Sequence, residues 1–406
     1  VTGGQGSASE KPNWTVVALL GALTAAGPLS VDMYLPALPA IGRSLGVGAA
    51  ATQSSVSAFL AGMAIGQFFF GAASDRFGRK PPLMVGLAIF IAASMACAAA
   101  TSYETLVAAR FVQAFGACAG GVIARAAVRD SFGHTETARV LSAMMLVGGL
   151  APVFAPLLGG FFLAAAGWRS IFWFLAASGV AMAILAITWL AETRSAETEA
   201  QARSENPLVA YAALLGRRRL IGYALAGALN GATLFTYISA SPELLIGYYR
   251  IPAAHFGWVF SINAVGLIAA GQLNRWLLRG RKPDDVLRLS CLAAFAVAIL
   301  IGVVAFSGFH GRWAMLALLF LLLSSYGLLQ GNTLAGALSV DPLRGGAASA
   351  LIGGVSFAMG AVASFITALM HDGTPRPMAV TMLVATAGSA AALYGLAFER
   401  RQPAAD

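Results

Sequence analysis

Apolar residues in this chain come in long runs separated by short polar breaks. A helix needs about 20 mostly apolar residues to cross a bilayer, and twelve runs meet that length. They lie near 14–42, 50–74, 81–102, 104–128, 137–166 and 169–191, then 218–247, 253–278, 285–308, 312–338, 345–371 and 377–398. Several exceed the minimum, which predicts tilt or protrusion past the membrane. Gly and Pro recur inside them, as bundled membrane helices allow. The pattern predicts an all-α integral membrane protein with twelve transmembrane helices.

The most polar stretch falls mid-chain, where Glu192, Glu197, Glu199, Glu205 and Pro207 precede the Arg217–Arg219 run. It divides the chain into a tail at 1–13, a six-helix bundle at 14–191, a linker at 192–217, a second six-helix bundle at 218–398 and a tail at 399–406. A faint repeat supports the division. Gly71 is followed by Asp75-Arg76 and then Gly78-Arg79-Lys80-Pro81; Gly271 is followed by Arg275 and then Gly280-Arg281-Lys282-Pro283. Two pseudo-symmetric six-helix repeats, with a substrate site at mid-membrane between them, form a known transporter plan.

Composition narrows the class further. Of 406 residues, 58% belong to the set AVILMFWYC and 11% are charged, against about 45–50% apolar and about 25% charged in soluble domains. A soluble enzyme, a disordered chain and a disulfide scaffold are excluded. Cys97, Cys118 and Cys291 sit inside apolar runs and read as small buried hydrophobes. The net charge of +9 gains meaning once the connections are sorted by side. Twenty of the 26 Lys and Arg fall on the side carrying both termini, five fall opposite (Arg43, Arg169, Arg250, Arg312 and Arg376), and Arg110 is left inside a span. By the positive-inside rule both termini are cytoplasmic, and the basic charge marks a membrane face instead of a nucleic-acid partner. Val1–Lys11, rich in Gly and Ser and without an initiator Met, reads as a trimmed end. The first span is too long for a signal peptide and lacks its cleavage site.

Scarcity of charge isolates two groups. Asp32, in VDMYLPALP, is the one acidic residue well inside an apolar run. An ionised group there costs roughly 2.5–3.5 kcal/mol or more, so such residues face a cavity or a partner. Its proton uptake and release are then coupled to its surroundings; the alternative is a structural ion pair or a position at the outer interface. Pro36 and Pro39 predict a bent backbone just beyond it. Arg110, in ARFVQAFGACAGG, is the basic counterpart, with Gln113 on the same helical face at i+3. It reads either as a permanent structural tie or as a partner that binds Asp32 when ionised and releases it when protonated.

Two further segments stand out. GAASDRFGRKPP offers Gly71, Asp75, Arg76, Gly78, Arg79 and Lys80 at fixed positions in the connection between spans two and three. It is either a charged turn or a latch whose contacts differ between conformations. GGLAPVFAPLLGG places Pro152 and Pro156 four apart, ahead of Gly159 and Gly160, which predicts a kinked helix with close neighbours. The pairs Gly62/Gly66, Gly116/Gly120 and Gly327/Gly331 carry almost no information in a chain with 46 glycines. Candidate cavity residues are Tyr34, Gln113, Asn230, Phe235, Tyr237, Asn263, Gln330, Asn332 and Phe357, with Asn230, Thr233 and Tyr237 on one helical stripe. No catalytic group and no metal site is expected. Met370, His371, Met378 and Met382 read as filler near a loop, and His134, His255, His310 and His371 lie near loops instead of converging in the membrane. A nucleotide-binding glycine loop is absent from the sequence.

These residues resemble the major facilitator superfamily, and within it the bicyclomycin/chloramphenicol-resistance (Bcr/CflA) branch of bacterial drug:proton antiporters. The resemblance runs from Trp14 to Arg400. DMYLPALP is similar to the branch's first-helix signature, GAASDRFGRKP to the superfamily loop motif, and RFVQAFG to the fourth-helix motif with its buried arginine. LAPVFAPLLGG resembles the antiporter motif of the fifth helix, with Ala155 where the pattern has Gly. SASPELL, FGWVFSINAVG and GNTLAGAL also look like this branch. The resemblance implies a monomer in the bacterial inner membrane that exports small amphipathic substrates to the periplasm. Proton entry would drive it, without cofactor or nucleic-acid partner, and Asp32 would be the switch for proton and substrate. Glu243 is the one other membrane carboxylate candidate, so one proton-carrying carboxylate is the simpler scheme. The rival within the class is a transporter of a specific metabolite such as a sugar, amino acid or siderophore; outside it, a membrane sensor or intramembrane enzyme.

Overall fold

The computed structural model describes residues 14–131, 134–194, 199, 207–308, 311–341 and 345–398, and every regular element among them is helical. Both tails, and linker residues Glu197, Arg203 and Glu205, lie outside the described residues, as does His310. Twelve helices among the described residues are long and apolar enough to cross a membrane, each within a few residues of a run read from the sequence.

The first span is interrupted: α1 (Trp14–Asp32) passes through a 3-10 turn at Leu35–Ala37 into α2 (Leu38–Leu45). The first half continues with α3 (Ala49–Phe77), α4 (Lys80–Ala99), α5 (Tyr103–Ser131), α6 (His134–Ala166) and α7 (Trp168–Trp189). The linker contains a short helix, α8 (Pro207–Leu215), which the sequence reading left without structure. Proline suits the first helical position, where its missing N–H has no partner to lose, and Tyr211 of α8 packs edge-on against Phe68 of α3. The second half comprises α9 (Arg218–Pro242, prolonged by a π-helical turn at Glu243–Tyr248), α10 (Ala253–Leu277), α11 (Pro283–Phe306), α12 (Arg312–Val340), α13 (Gly345–Leu369) and α14 (Arg376–Ala392, with a π-helical turn at Leu393–Ala397). An even number of spans puts Trp14 and Ala397 on one face, called here the terminal face; the other is the distal face.

Within the first half, α3 and α4 both pack on α5. The Gly62/Gly66 pair, uninformative in sequence, sits at the α3–α5 contact, where a Cβ on Gly62 would strike the Phe111 carbonyl and one on Gly66 would meet Cys118. Small residues let membrane helices approach this closely. The halves meet along two seams, α3 against α13 and α6 against α10. Gly71 faces Ala350 across the first. Along the second, Ser261 of α10 donates to the Val153 carbonyl at 2.5 Å, within the segment that Pro152 and Pro156 relieve of two amide donors. On α6, Gly159 lies against the Met33 main chain, whereas Gly160 has nothing within 4 Å of its Cβ position.

That contrast makes a paired prediction. Gly159→Ala forces a methyl into the Met33 backbone and costs about 1–3 kcal/mol of overpacking, so the unfolding midpoint in detergent falls. Gly160→Ala gains helix propensity without a clash and holds or raises it. Equal midpoints for the two variants contradict this packing.

Candidate functional site

Asp32 is the last residue of α1 and is 2% exposed. The helix stops there because Pro36 and Pro39 have no N–H to return to the preceding turn. The chain closes instead through Tyr34 N to Val31 O at 3.3 Å and Ala37 N to Tyr34 O at 3.0 Å. The bend expected from the prolines is thus a full break, and Gly159 admits α6 against it. The turn Leu35–Ala37 touches α6, α9 and α10, so the Asp32 region sits where the first half meets the second. Asp32 Oδ1 is buried without a hydrogen-bond partner. Tyr237 of α9 is buried as well. The Tyr237 hydroxyl accepts a hydrogen bond from Asn263 Nδ2 of α10 at 2.7 Å, and its ring stacks on Phe260 at 5.4 Å. Tyr237 and Asn263 thus tie together α9 and α10, the two second-half helices that the turn beyond Asp32 touches.

Arg110 is fully buried in α5. Its Nη1 donates to Ser30 O at 3.1 Å and to Gln113 Oε1 at 2.6 Å, and Gln113 Nε2 donates to Ser94 Oγ at 2.8 Å. The guanidinium lies 4.4 Å from the Tyr34 ring centroid and 4.2 Å from that of Phe59, a cation–π arrangement that offsets part of the lost hydration. The ion pair inferred between Asp32 and Arg110 is not made. A main-chain carbonyl, an amide and two rings hold the cation, while the carboxylate lies beside the opposite half. Arg110 Nε and Nη2 keep no partner. Tyr34, whose hydroxyl bonds Ser55 Oγ at 2.8 Å, and Gln113 are thus supports of Arg110 instead of open cavity wall.

The remaining cavity candidates divide. Asn230 and Thr233 line a space of about 10 Å³, one water in size, with Tyr326 and Thr386 inside the second half, so the stripe with Tyr237 does not make one site. Phe235 packs on Phe357 at 5.4 Å between α9 and α13. Gln330 Oε1 is buried without a partner. Asn332 is committed to Asn274 through reciprocal amide bonds of 2.8 and 3.4 Å, which tie α10 to α12.

At the terminal face, Arg79 is 3% exposed and bridges Asp130 Oδ2 (Nε, 2.7 Å) and Asp75 Oδ1 (Nη1, 2.5 Å), with Ser74 Oγ at 3.0 Å. Burial opposes its charge, but the bonds to Asp130 and Asp75 outweigh that and hold the guanidinium above its ordinary pKa. Glu192 accepts the main-chain N–H of Arg79 at 2.8 Å and of Lys80 at 3.1 Å. Lys80 Nζ reaches Ile187 O at 2.9 Å and Arg194 Nη1 reaches Arg76 O at 2.7 Å. Gly78 has φ +91°, and Glu192 occupies the space a Cβ would need. All these contacts join α3, α4, α5 and α7 of the first half, while Gly71 faces Ala350 of the second. Asp130 and Asn274 escaped the sequence reading, and Glu192 appeared there only as linker charge. An acid at the terminal-face end of α5, beside Arg129, was the available signal for Asp130.

The Major Facilitator Superfamily profile matches residues 20–368. The chain is 33% identical over 392 residues to "Uncharacterized MFS-type transporter YdgK" of Bacillus subtilis (strain 168), covering 94% of this chain and 95% of that protein. It is 30% identical over 387 residues to "Bicyclomycin resistance protein homolog" of Haemophilus influenzae, covering 95% and 97%. The fold is similar to that of the xylose transporter XylE from E. coli in a partially occluded inward-open conformation. There the TM-score is 0.73 at 14% identity, covering 96% of this chain and 98% of that one.

Glu192 gives a pH prediction. Burial would raise its pKa, but the amides of Arg79, Arg194, Lys80 and Thr193 hold it below the ordinary 4.5. A depressed carboxylate pKa stabilises the fold above the unfolded-state value, and that contribution is lost as pH falls through the folded-state value. Glu192→Gln should therefore unfold at a lower temperature than the parent at neutral pH, and the gap should close as pH drops below about 4.5. A gap independent of pH contradicts a charge-assisted cap.

Proposed function

The chain belongs to the major facilitator superfamily, and we propose that this membrane transporter, which is not an enzyme, is a proton-coupled antiporter exporting small amphipathic drugs or antibiotics from cytoplasm to periplasm by alternating access. In this reading it is a monomer in the bacterial inner membrane, the terminal face is cytoplasmic, and the proton gradient is the energy source, with no cofactor. The observation that carries it is Asp32: a buried carboxylate with an unpartnered oxygen, at a helix break on the seam between halves. An uncompensated group there is expensive; it is retained where proton or substrate supplies the compensation.

Each neighbour has a part in the cycle. Because Asn263 donates to the Tyr237 oxygen, the hydroxyl proton of Tyr237 is free of that bond and can be offered to Asp32 when ionised. The protonation state of the first half is thereby felt by α9 and α10 of the second. Arg110 has two nitrogens without partners and shares the Ser30 turn with Asp32, so it attracts the carboxylate when the charge is present and loses it when a proton or cationic drug neutralises Asp32. Periplasmic protons then compete with the drug for the carboxylate in the outward-open form. Pro152, Pro156 and Gly159 let α6 move against the Asp32 break and α10 together. One charge crossing 100 mV supplies about 2.3 kcal/mol, roughly a fifty-fold gradient. The name of the Haemophilus influenzae relative supports drug export as the task.

Everted membrane vesicles test the assignment with bicyclomycin, chloramphenicol and ethidium under an imposed pH gradient. Asp32→Asn should bring gradient-driven accumulation from as much as about fifty-fold toward unity, with normal membrane insertion. Accumulation by Asp32→Asn that stays fully gradient-driven would sink the proton role. Arg110→Lys keeps the charge but not the forked geometry, and should insert normally while coupling weakly; unchanged coupling would place Arg110 among packing residues.

A further inference from the structure

A cavity of about 210 Å³ opens at the distal end of the seam between the halves. Its first-half wall comes from α2 and the start of α3, its second-half wall from the end of α9. Three polar side chains facing it are free. Among the described residues, Arg43, exposed at the rim, and the half-buried Glu243 opposite have no ion-pair or hydrogen-bond partner. Gln53 is 4% exposed, and its Nε2 is buried without a partner. The other polar groups in the wall are spent: Thr52 Oγ1 donates to Ala49 O at 2.9 Å and Ser239 Oγ to Thr236 O at 3.2 Å. Leu38, Pro39 and Pro242 make the remainder apolar.

Size and charge pattern together define what fits. Drug-sized ligands occupy pockets of about 300–1,000 Å³, and this space of about 210 Å³ lies below that range. It suits a molecule much smaller than a drug. A cation on one wall and a carboxylate on the other call for a ligand carrying both charges. A buried amide donor left unpaired is costly, and Gln53 Nε2, on the first-half wall with Arg43, is one that a ligand carboxylate would satisfy.

We propose that this cavity is a binding site for a small zwitterion of the amino-acid or betaine type. Its anionic end is held by Arg43 and Gln53 of the first half and its cationic end by Glu243 of the second. A ligand so placed bridges the halves and draws the distal mouth together. In the orientation proposed above, the site faces the periplasm. It is separate from the Asp32 group and stands whether or not Asp32 carries protons.

The test is calorimetric titration of the purified full-length protein, without any gradient. The probes are glycine, L-alanine and glycine betaine, each up to about 10 mM, ten times the upper end of typical KM values of about 1 mM. Ethylamine and propionate serve as single-charge controls. Saturable binding is expected for at least one zwitterion and for neither control. Losing one partner of a charge contact should weaken it at least about tenfold, in Arg43→Gln and in Glu243→Gln alike. Arg43→Lys and Glu243→Asp should restore part of it, which distinguishes lost recognition from lost folding. No saturable binding by any of the three, or equal binding in the Gln variants, each overturns the proposal. So does a direct Arg43–Glu243 gate pair, seen as transport lost in Arg43→Glu and Glu243→Arg and regained in the double variant. Because the titration uses no pH gradient, its outcome is independent of the vesicle test of proton coupling.

Discussion

A charge inside a bilayer-spanning bundle has no water to fall back on, so the protein must either compensate it locally or let it be neutralised from outside. Both solutions occur within one helical turn of each other here. Arg110 is compensated in part: a carbonyl, an amide and two aromatic rings hold it, Ser94 in turn fixes the amide, and Nε and Nη2 stay unpartnered. Asp32 is not, and its unpartnered oxygen lies at the one place where the first span comes apart. The break, the prolines that cause it and the glycine that lets α6 close over it serve a single carboxylate. Compensation is left to what arrives: a proton, a drug, or the hydroxyl of Tyr237.

The two halves share a plan but not its reinforcement. In the first, Arg79 and Glu192 gather four helices into one terminal-face knot of ionic and main-chain bonds. In the second, Arg275 stands where the repeat has Asp75, and the ties among the described residues include Tyr223 to Asp284 at 2.7 Å between α9 and α11 and Arg218 to the Gly395 carbonyl at 2.7 Å. A stiff first half and a more lightly tied second half suit relative motion along the two seams. The knot holds the helices of the first half in register, and Gly71 meets Ala350 at its edge.

Legibility in the sequence followed from how local each interaction is. Span positions were readable because the bilayer fixes a length, and Asp32 and Arg110 because so few charges compete for notice. The Arg110–Gln113 contact was readable from i, i+3 spacing. The Arg110 to Ser30 bond was not, since a carbonyl acceptor leaves no trace in residue identity. Glu192 binds amides more than a hundred positions away, beyond any pattern in the loop motif itself. Asn332 looked like cavity lining because its partner Asn274 is 58 residues distant. Gly62 and Gly66 could not be told from 44 other glycines until their neighbours were known.

The central claim is that substrate and proton compete for Asp32. Proton release from the purified protein measures this most directly, using a pH-indicator dye in weakly buffered detergent solution as bicyclomycin, chloramphenicol or ethidium is added. The account predicts that a transported compound releases protons from the parent protein in a saturable manner, and that Asp32→Asn binds the compound without releasing any. Equal proton release from Asp32→Asn, or binding to the parent with no release between pH 6 and 9, which spans about three decades of proton activity, contradicts it.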